Sequence, residues 1–274
     1  MSNNKNLNNC NQISNILNSL GIRDACICPG SRNTPLTVAF TNNHNLRCTS
    51  HIDERSAAFF TLGMSKKNRL PSVVISTSGT AVANFFPAII EASLSRTPMI
   101  VITADRPPHL VNTGENQTID QQNLYGNHVR YFADVGIPIK QYDGLEKILQ
   151  MAINKVMGLE SKIPPGPIHL NFPFDEPLIS NNLGPFSTST NKQKMILEKK
   201  SIIKINKLEK IWKPLIVMGP MENNLFQKEI INLSKKINAP IFADPLSQIR
   251  YGFSNKLIIS HYDIFLRNTD IYPG

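Results

Sequence analysis

Short apolar runs that end in a turn alternate along this chain with segments of helix length, and this alternation is the strongest constraint on its fold. The runs lie in the segments DACICPG, HNLRCTSHID, PSVVISTSGT, TPMIVITADRPP and PPGPIHLNFP. Apolar side chains recur at helical spacing in residues 8–19 and 144–157. Buried strands alternating with amphipathic helices are typical of a mainly parallel sheet flanked by helices. The sequence therefore predicts an α/β domain over residues 1–185.

The same pattern restarts after a stretch rich in proline, glycine, serine and asparagine. Apolar runs in KPLIVMGP, APIFADPL and KLIIS accompany a helical pattern near residues 223–237. About three strands fall short of the five or six that an average sheet contains. We therefore predict a basic linker over residues 186–213 and a partial central α/β domain over residues 214–274.

The charge of the chain is concentrated in the predicted linker. The formal net charge is +9, and residues 191–213 contain eight lysines and two glutamates, a net of +6, so the rest of the chain carries only +3. Because Trp212 is the one aromatic residue in that segment, the lysines predict a solvated connector and no nucleic-acid partner. We find neither a run of about 20 apolar residues nor a signal-peptide pattern at the start, so we expect a cytoplasmic protein without a membrane partner.

Polar residues follow the first four predicted strands. Ligands of open parallel sheets bind beyond the carboxyl ends of the strands. Two of these residues, Arg32 and Arg106, are guanidinium groups that could pair bidentately with carboxylates. Asn116 and Gln117 could add neutral hydrogen bonds. This combination predicts a small acidic ligand.

Each motif also has a structural interpretation. The segment TSGT could be a helix N-cap turn, with Ser78 or Thr80 capping and Gly79 in an unusual conformation. Glu54 could be a first-turn residue that interacts favourably with the helix dipole. Asp105 and Arg106 could form an ion pair. Taken one at a time, the motifs do not decide between structure and function.

Taken together, five motifs carry a specific resemblance. The segments CPGSRNTPL, HIDERSAAFFTLG, TSGTAVANFFPAIIEA, TADRPP and ENQTIDQ span residues 28–121 in this order. The chain resembles the amino-terminal half of the 2-succinyl-5-enolpyruvyl-6-hydroxy-3-cyclohexene-1-carboxylate synthase family, thiamine diphosphate enzymes of menaquinone and phylloquinone biosynthesis. APIFADPLSQIR and HYDIFLRN extend the resemblance into the second domain. It implies that residues 1–185 form a domain that binds the cofactor's pyrimidine.

The resemblance also implies roles for individual residues. Glu54 is expected to hydrogen-bond the ring nitrogen N1′ of the cofactor's aminopyrimidine, which requires a water-poor environment. Gly79 and Thr80 are expected to line the pyrimidine pocket, with Asn84 as a further candidate. The substrate is expected to contact Ser31, Arg32, Arg106, Asn116 and Gln117.

The implied reaction is the decarboxylation of 2-oxoglutarate and addition of the resulting succinic semialdehyde unit to isochorismate. The implied cofactors are thiamine diphosphate and Mg²⁺. We find no Gly-Asp-Gly motif of the kind that holds the metal in this family, so we expect no metal ligand here and a fragment or split subunit that is inactive alone. Because the superfamily builds its site from two subunits, we expect a homodimer or homotetramer.

Two other functions remain open on the sequence. Another thiamine diphosphate decarboxylase or carboligase, such as a relative of acetohydroxyacid synthase, would share the glutamate. A non-catalytic regulatory or assembly half would keep the fold and bind carboxylates without chemistry. Replacing Glu54 with glutamine separates catalysis from a scaffold role.

Overall fold

A computed structural model describes residues 5–137, 144–159, 163–179, 213–221 and 226–268. Contacts divide the chain into two compact units, residues 1–199 and 200–274. All but the last residue of the predicted linker 186–213 lie outside the described residues, so the predicted domain boundaries stay predictions.

The first unit alternates strands and helices as the sequence predicts. Its strands are β1 (Asp24–Ile27), β2 (Arg47–Ser50), β3 (Ser72–Ser76), β4 (Met99–Asp105), β5 (Phe132–Asp134) and β6 (Pro167–Pro173). Its helices are α1 (Lys5–Ser19), α2 (Thr34–Thr41), α3 (Glu54–Asn68), α4 (Thr80–Ala83), α5 (Phe86–Leu94) and α6 (Leu145–Val156), with 3₁₀ turns at Pro108–Leu110 and Gly126–His128.

These strands form one parallel sheet in the order β2-β1-β3-β4-β6-β5. This confirms the predicted α/β class and the mainly parallel sheet flanked by helices. Strand β5 was missed because it has three residues and none of them is buried. Strand β2 lies at the other edge, which is why its residues are largely exposed although its neighbours are apolar.

Side chains alternate between the two faces of the sheet and build two hydrophobic clusters. Val73 and Ile75 pack in a cluster with α1, α2 and α6, whereas Val74 packs in a second cluster with α3 and α5. Cys10, Cys26 and Cys28 are buried and Cys48 is half-buried, and all four are free thiols. Burial on both faces explains why the strands read as continuous apolar runs.

The second unit contains a smaller parallel sheet, in the order β7-β8-β9. Its elements are β7 (Ile216–Met218), α7 (Gln227–Ile237), β8 (Ile241–Ala243), β9 (Ile258–Ile259) and α8 (Tyr262–Leu266). This agrees with the predicted partial α/β domain. Among the described residues of both units, none of the helices has the length and apolar character needed to cross a membrane.

Candidate functional site

The predicted site residues of the first unit follow the carboxyl ends of adjacent parallel strands. The chain passes from β1 to β2 on one side and then returns to β3 on the other side of β1. Ligands of open α/β sheets bind at such a switch point. The loops after β1 and β3 touch there, since a Cβ atom on Gly30 would lie 2.5 Å from Cβ of Thr77. Gly30 therefore permits an approach that no other residue would allow.

The turn after β1 is braced by a residue that sequence analysis did not single out. Asn33 is fully buried, accepts a hydrogen bond from the Gly30 amide at 2.8 Å and donates to the Cys28 carbonyl at 2.9 Å. It thereby fixes the turn that presents Ser31 and Arg32. Ser31 is exposed, whereas Arg32 is 8% exposed.

Arg32 folds back against the segment after β6. Its Nη1 donates to the Phe174 carbonyl at 3.0 Å and lies 3.3 Å from a Glu176 carboxylate oxygen. Its Nε is buried and has no hydrogen-bond partner in the described part of the chain. One side of the guanidinium is therefore anchored by protein, and the Nε side is left for a ligand.

Arg32 and Arg106 bring two positive charges together at this edge. The pKa of Arg32 lies below its usual value, first because the side chain is buried and second because Arg106 is nearby. Nε of Arg106 is likewise buried and lacks a partner among the described residues. Two adjacent guanidiniums with unpartnered Nε groups form a site that suits an anion with carboxylate groups.

Arg106 also contacts the loop that carries the predicted amides. Its Nη2 donates to the Asn116 carbonyl at 3.1 Å. The Asn116 and Gln117 residues are exposed, and Gln117 has a left-handed backbone with φ of 57°. The structure thus brings Arg32, Arg106 and this loop together as the sequence predicts, although Arg106 contacts the backbone of Asn116 and not its side chain.

The ion pair considered for Asp105 and Arg106 is not among the described salt bridges. The Asp105 carboxylate instead accepts from the Arg106 backbone amide at 2.7 Å and from Asn171 Nδ2 at 2.8 Å. Burial raises the pKa of Asp105 to about 6. The Asp105 carboxylate therefore accepts from a backbone amide and from Asn171, and it leaves the Arg106 guanidinium available to a ligand.

The turn after β3 is held by the same loop. Gly79 precedes α4 with φ of 84° and ψ of −148°, a conformation that other residues rarely adopt. A Cβ atom there would lie 2.9 Å from the Gln117 carbonyl oxygen. The helix has no side-chain cap: Ser78 Oγ donates to the Gln117 carbonyl at 3.0 Å and accepts no hydrogen bond from a helix amide. The TSGT segment is therefore an N-cap turn with Gly79 in the expected unusual conformation, but the side-chain cap expected from Ser78 or Thr80 is absent.

Glu54 is the first residue of α3 and lies at the β2 end of the site. Asp53 caps this helix, with its carboxylate accepting from the Ser56 amide at 2.7 Å. Interaction with the Ser56 side chain, and then with its backbone amide, lowers the pKa of Asp53. Glu54 is half-buried. In the described part of the chain, its carboxylate makes neither a hydrogen bond nor an ion pair. The cap by Asp53 thus fixes the start of α3 at Glu54, and the Glu54 carboxylate remains available to a ligand.

Apolar side chains close to Glu54 in the chain are exposed to solvent. Ile52 is 97% exposed, Phe59 is 43% exposed and Phe60 is 48% exposed. The His51 ring lies 4.9 Å from that of Phe60. The water-poor environment expected for Glu54 is therefore not complete within this chain alone.

The remaining predicted residues lie at the surface of the same edge. Thr80 begins α4 and Asn84 ends it, and both are exposed. Among the described residues, His, Cys, Asp and Glu form no group of three or more that could hold a metal ion.

A buried polar network behind the site was missed by sequence analysis. It contains Thr103, Gln121, His169 and Asn171, all at most 1% exposed. The signal was present in strand β6, where His169 and Asn171 interrupt an apolar run and must find partners when buried. Gln121 lies in the quoted segment ENQTIDQ, but nothing in its spacing distinguished it from the exposed amides around it.

Comparison with known proteins adds to this geometry. Residues 8–124 match the family described as thiamine pyrophosphate enzyme, N-terminal TPP binding domain. The chain resembles the amino-terminal portion of proteins named 2-succinyl-5-enolpyruvyl-6-hydroxy-3-cyclohexene-1-carboxylate synthase. The relative from Listeria innocua is 40% identical over 92% of this chain and 45% of its own length. That from Chloroflexus aurantiacus is 39% identical over 90% and 43%. The chain thus spans less than half the length of these relatives.

Proposed function

We propose that this chain, similar as it is to the amino-terminal portion of the 2-succinyl-5-enolpyruvyl-6-hydroxy-3-cyclohexene-1-carboxylate synthases, supplies half of such an enzyme's active site. The reaction is the decarboxylation of 2-oxoglutarate and transfer of its four-carbon unit to isochorismate, in menaquinone or phylloquinone biosynthesis. The observation that carries the proposal is the pair Arg32 and Arg106, each with a buried, unpartnered Nε among the described residues.

Isochorismate has two carboxylates and therefore matches two adjacent guanidiniums. Arg32 is held on its Nη1 side by Phe174 and Glu176, so its Nε side is preoriented for a carboxylate. Charge-assisted hydrogen bonds are stronger in such a buried place than in water. Ser31, Asn116 and Gln117 are exposed around the pair and would orient the hydroxyl and enol ether groups of the ligand.

Glu54 would hold the cofactor's pyrimidine by hydrogen-bonding N1′. A carboxylate without a partner in the described chain, two residues after the exposed apolar Ile52, suits a polar aromatic ring. Gly79, Thr80 and Asn84 would line the same pocket. Thiamine diphosphate, when bound, supplies a carbon nucleophile that adds to the 2-oxo group and so permits loss of carbon dioxide. The part of Glu54 is to share a proton with N1′ while water is excluded.

The proposed site needs a second protein surface. The exposed Ile52, Phe59 and Phe60 support a partner that covers Glu54, and a homodimer or homotetramer would provide one. We propose that the diphosphate and Mg²⁺ are bound by protein outside these 274 residues, which match 45% of the length of the Listeria innocua relative. The reaction should proceed in the cytoplasm, where both acids would be dissolved.

Calorimetry on the 274-residue chain with isochorismate tests the acceptor site. Arg106→Met should weaken binding about 10- to 100-fold, since a hydrogen bond to a charged group contributes about 1.5–3 kcal/mol. Arg96→Met, at an exposed arginine elsewhere in the unit, is the matched control and should leave the affinity unchanged. Equal affinities for wild type and Arg106→Met would refute the assignment.

Carbon dioxide release tests the reaction. The chain alone, given thiamine diphosphate, Mg²⁺ and 2-oxoglutarate, should show no turnover. When it is joined to the unmatched half of a relative, turnover should appear and Glu54→Gln should abolish it. Turnover that survives Glu54→Gln would instead support the scaffold role, and release by the isolated chain would contradict the division of the site.

A further inference from the structure

Both polar atoms of the Gln121 side-chain amide are hydrogen-bonded within the first unit. Its side chain is 1% exposed, and its Oε1 accepts from the Gly79 amide at 2.9 Å. Its Nε2 donates to the Ala104 carbonyl at 3.1 Å and to Asn171 Oδ1 at 2.9 Å. Because a backbone N–H can only donate, the orientation of the Gln121 amide is fixed by Gly79. Gln121 therefore joins the turn after β3 to strands β4 and β6.

The hydrogen bonds continue in one direction from Gln121 to Asp105. Asn171 Oδ1 accepts from Gln121 and from Thr103 Oγ1, so Nδ2 is left to donate to the Asp105 carboxylate. Asp105 also accepts from the Arg106 amide. The donors of the series Gly79, Gln121 and Asn171 thus run in one direction and end at the Asp105 carboxylate, with a longer contact of 3.5 Å from Asn171 Nδ2 to Asp134. Hydrogen bonds in such a buried series polarise one another.

The loop of residues 116–121 is attached to both ends of this series. At one end Arg106 Nη2 donates to the Asn116 carbonyl at 3.1 Å. At the other, Ser78 Oγ donates to the Gln117 carbonyl, and Gln117 fills the space that a Cβ on Gly79 would need. A movement of the strand end at Arg106 therefore reaches the Gly79 turn by two routes, through the loop and through Gln121.

We propose that Gln121 is a positioning residue that couples the carboxylate-binding strand end at Arg106 to the Gly79 turn. The functional role of this coupling rests on the proposed function, in which Arg106 binds isochorismate and Gly79 lines the pocket for the cofactor's pyrimidine. The coupling itself is a property of the unliganded chain, so it is tested without any ligand.

The test is amide hydrogen exchange at Gly79, followed by NMR on the 274-residue chain. Gln121→Met removes the acceptor and should speed Gly79 exchange about tenfold, as expected for one lost hydrogen bond. The matched control is Gln150→Met, which makes the same change at an exposed glutamine of α6 whose side chain bonds Asn154, and it should leave Gly79 unchanged. The amide of Val101 in β4 reports global stability and should change less than that of Gly79.

Asp105→Asn supplies the decisive comparison. The new asparagine would present either its NH₂ group, which cannot accept from Asn171 Nδ2, or its neutral oxygen, which is a weaker acceptor than a carboxylate. Either orientation weakens the series at the end farthest from Gly79. The substitution should speed Gly79 exchange severalfold in the wild-type background but have no added effect in the Gln121→Met background. A purely structural contribution predicts equal effects in both backgrounds, and that result would overturn the coupling. If Gln121→Met does not fold, an unchanged Gly79 rate in Asp105→Asn alone would overturn it.

Isochorismate then separates this inference from the proposed function. In wild type its binding should slow Gly79 exchange, and in Gln121→Met this response should be lost. Binding with the same Gly79 response in both proteins would contradict the coupling and leave the proposed function standing. Absence of binding to wild type, with the Asp105 and Gln121 effects still non-additive, would contradict the proposed function and leave the coupling standing.

Discussion

The two ends of the candidate site differ in how far this chain completes them. At the β4 end, Arg106, the loop of residues 116–121 and the Gly79 turn are joined by buried hydrogen bonds. At the β2 end, Glu54 has no polar partner among the described residues and its apolar neighbour Ile52 is almost fully exposed. The first region is fixed by its own unit, whereas the second needs a ligand and another surface. Variants of the first region should therefore change folding stability, and those of the second should change association and binding.

The largest effect is expected for Gly79→Ala. The backbone at φ of 84° and ψ of −148° is strained for alanine, and the new Cβ would meet the Gln117 backbone. We expect the free energy of unfolding to fall by about 2–4 kcal/mol, combining backbone strain with overpacking. Urea denaturation measures it. Gly114→Ala is the control, since Gly114 has φ of 82° but open space around it, and its loss should be only about 1 kcal/mol. Equal losses would show that contact with Gln117 is unimportant.

The next effect concerns association at the β2 end. Ile52→Ser removes an apolar side chain that is 97% exposed, so folding stability should not change. If a second copy covers Ile52, the dissociation constant of the dimer should rise about tenfold or more, because burying an isoleucine contributes about 1.5–3 kcal/mol. Sedimentation velocity measures the constant. Met151→Ser, on α6 at the opposite face of the sheet, should leave it unchanged. A dimer equally sensitive to both changes would contradict the proposed interface.

Sequence analysis predicted the fold well because the apolar period is a local property. Five of the six strands of the first sheet appeared as apolar runs, and only the short edge strand β5 was missed. It also predicted that Arg32 and Arg106 lie near each other, since the carboxyl ends of parallel strands meet at one edge of the sheet. It did not predict that Arg32 would be anchored by Glu176, or that Gln121 would be buried between two strands. Those contacts join residues far apart in the chain, 144 positions apart for Arg32 and Glu176, and no local pattern records them.

A smaller effect, again at the β4 end, is the pH dependence of stability. Burial lowers the pKa of His169 from 6.5 to about 3, so below pH 6.5 the unfolded chain is protonated first and stability falls with acidification. Burial raises the pKa of Asp105 from 3.8 to about 6, so between these values the folded chain is protonated first and stability rises with acidification. In wild type the two slopes oppose each other near pH 5.

Asp105→Asn should remove one slope and leave the other. The free energy of unfolding of this variant should fall more steeply than that of wild type between pH 6 and 4.5, by about 1 kcal/mol per pH unit. Urea denaturation at several pH values measures the difference. Glu146→Gln, at an exposed carboxylate of α6 that does not act on Asp105, is the control and should run parallel to wild type. Parallel curves for Asp105→Asn would mean that its carboxyl group titrates alike in the folded and unfolded chains.

The smallest effect on stability is expected for Glu54→Gln. The carboxylate has no hydrogen bond or ion pair within the described residues, and the substitution keeps its shape, so only its interaction with the helix dipole is lost. That interaction contributes about 0.3–1 kcal/mol at an exposed helix start. We therefore expect a change of at most about 1 kcal/mol in urea denaturation. Asp53→Ala, one residue earlier, should cost more, because it removes the carboxylate that accepts from the Ser56 amide at the helix start. A loss for Glu54→Gln larger than that for Asp53→Ala would show that Glu54 stabilises this unit itself. A negligible loss means that this half-buried carboxylate contributes nothing to the fold that glutamine could not, and that its charge is available for a ligand.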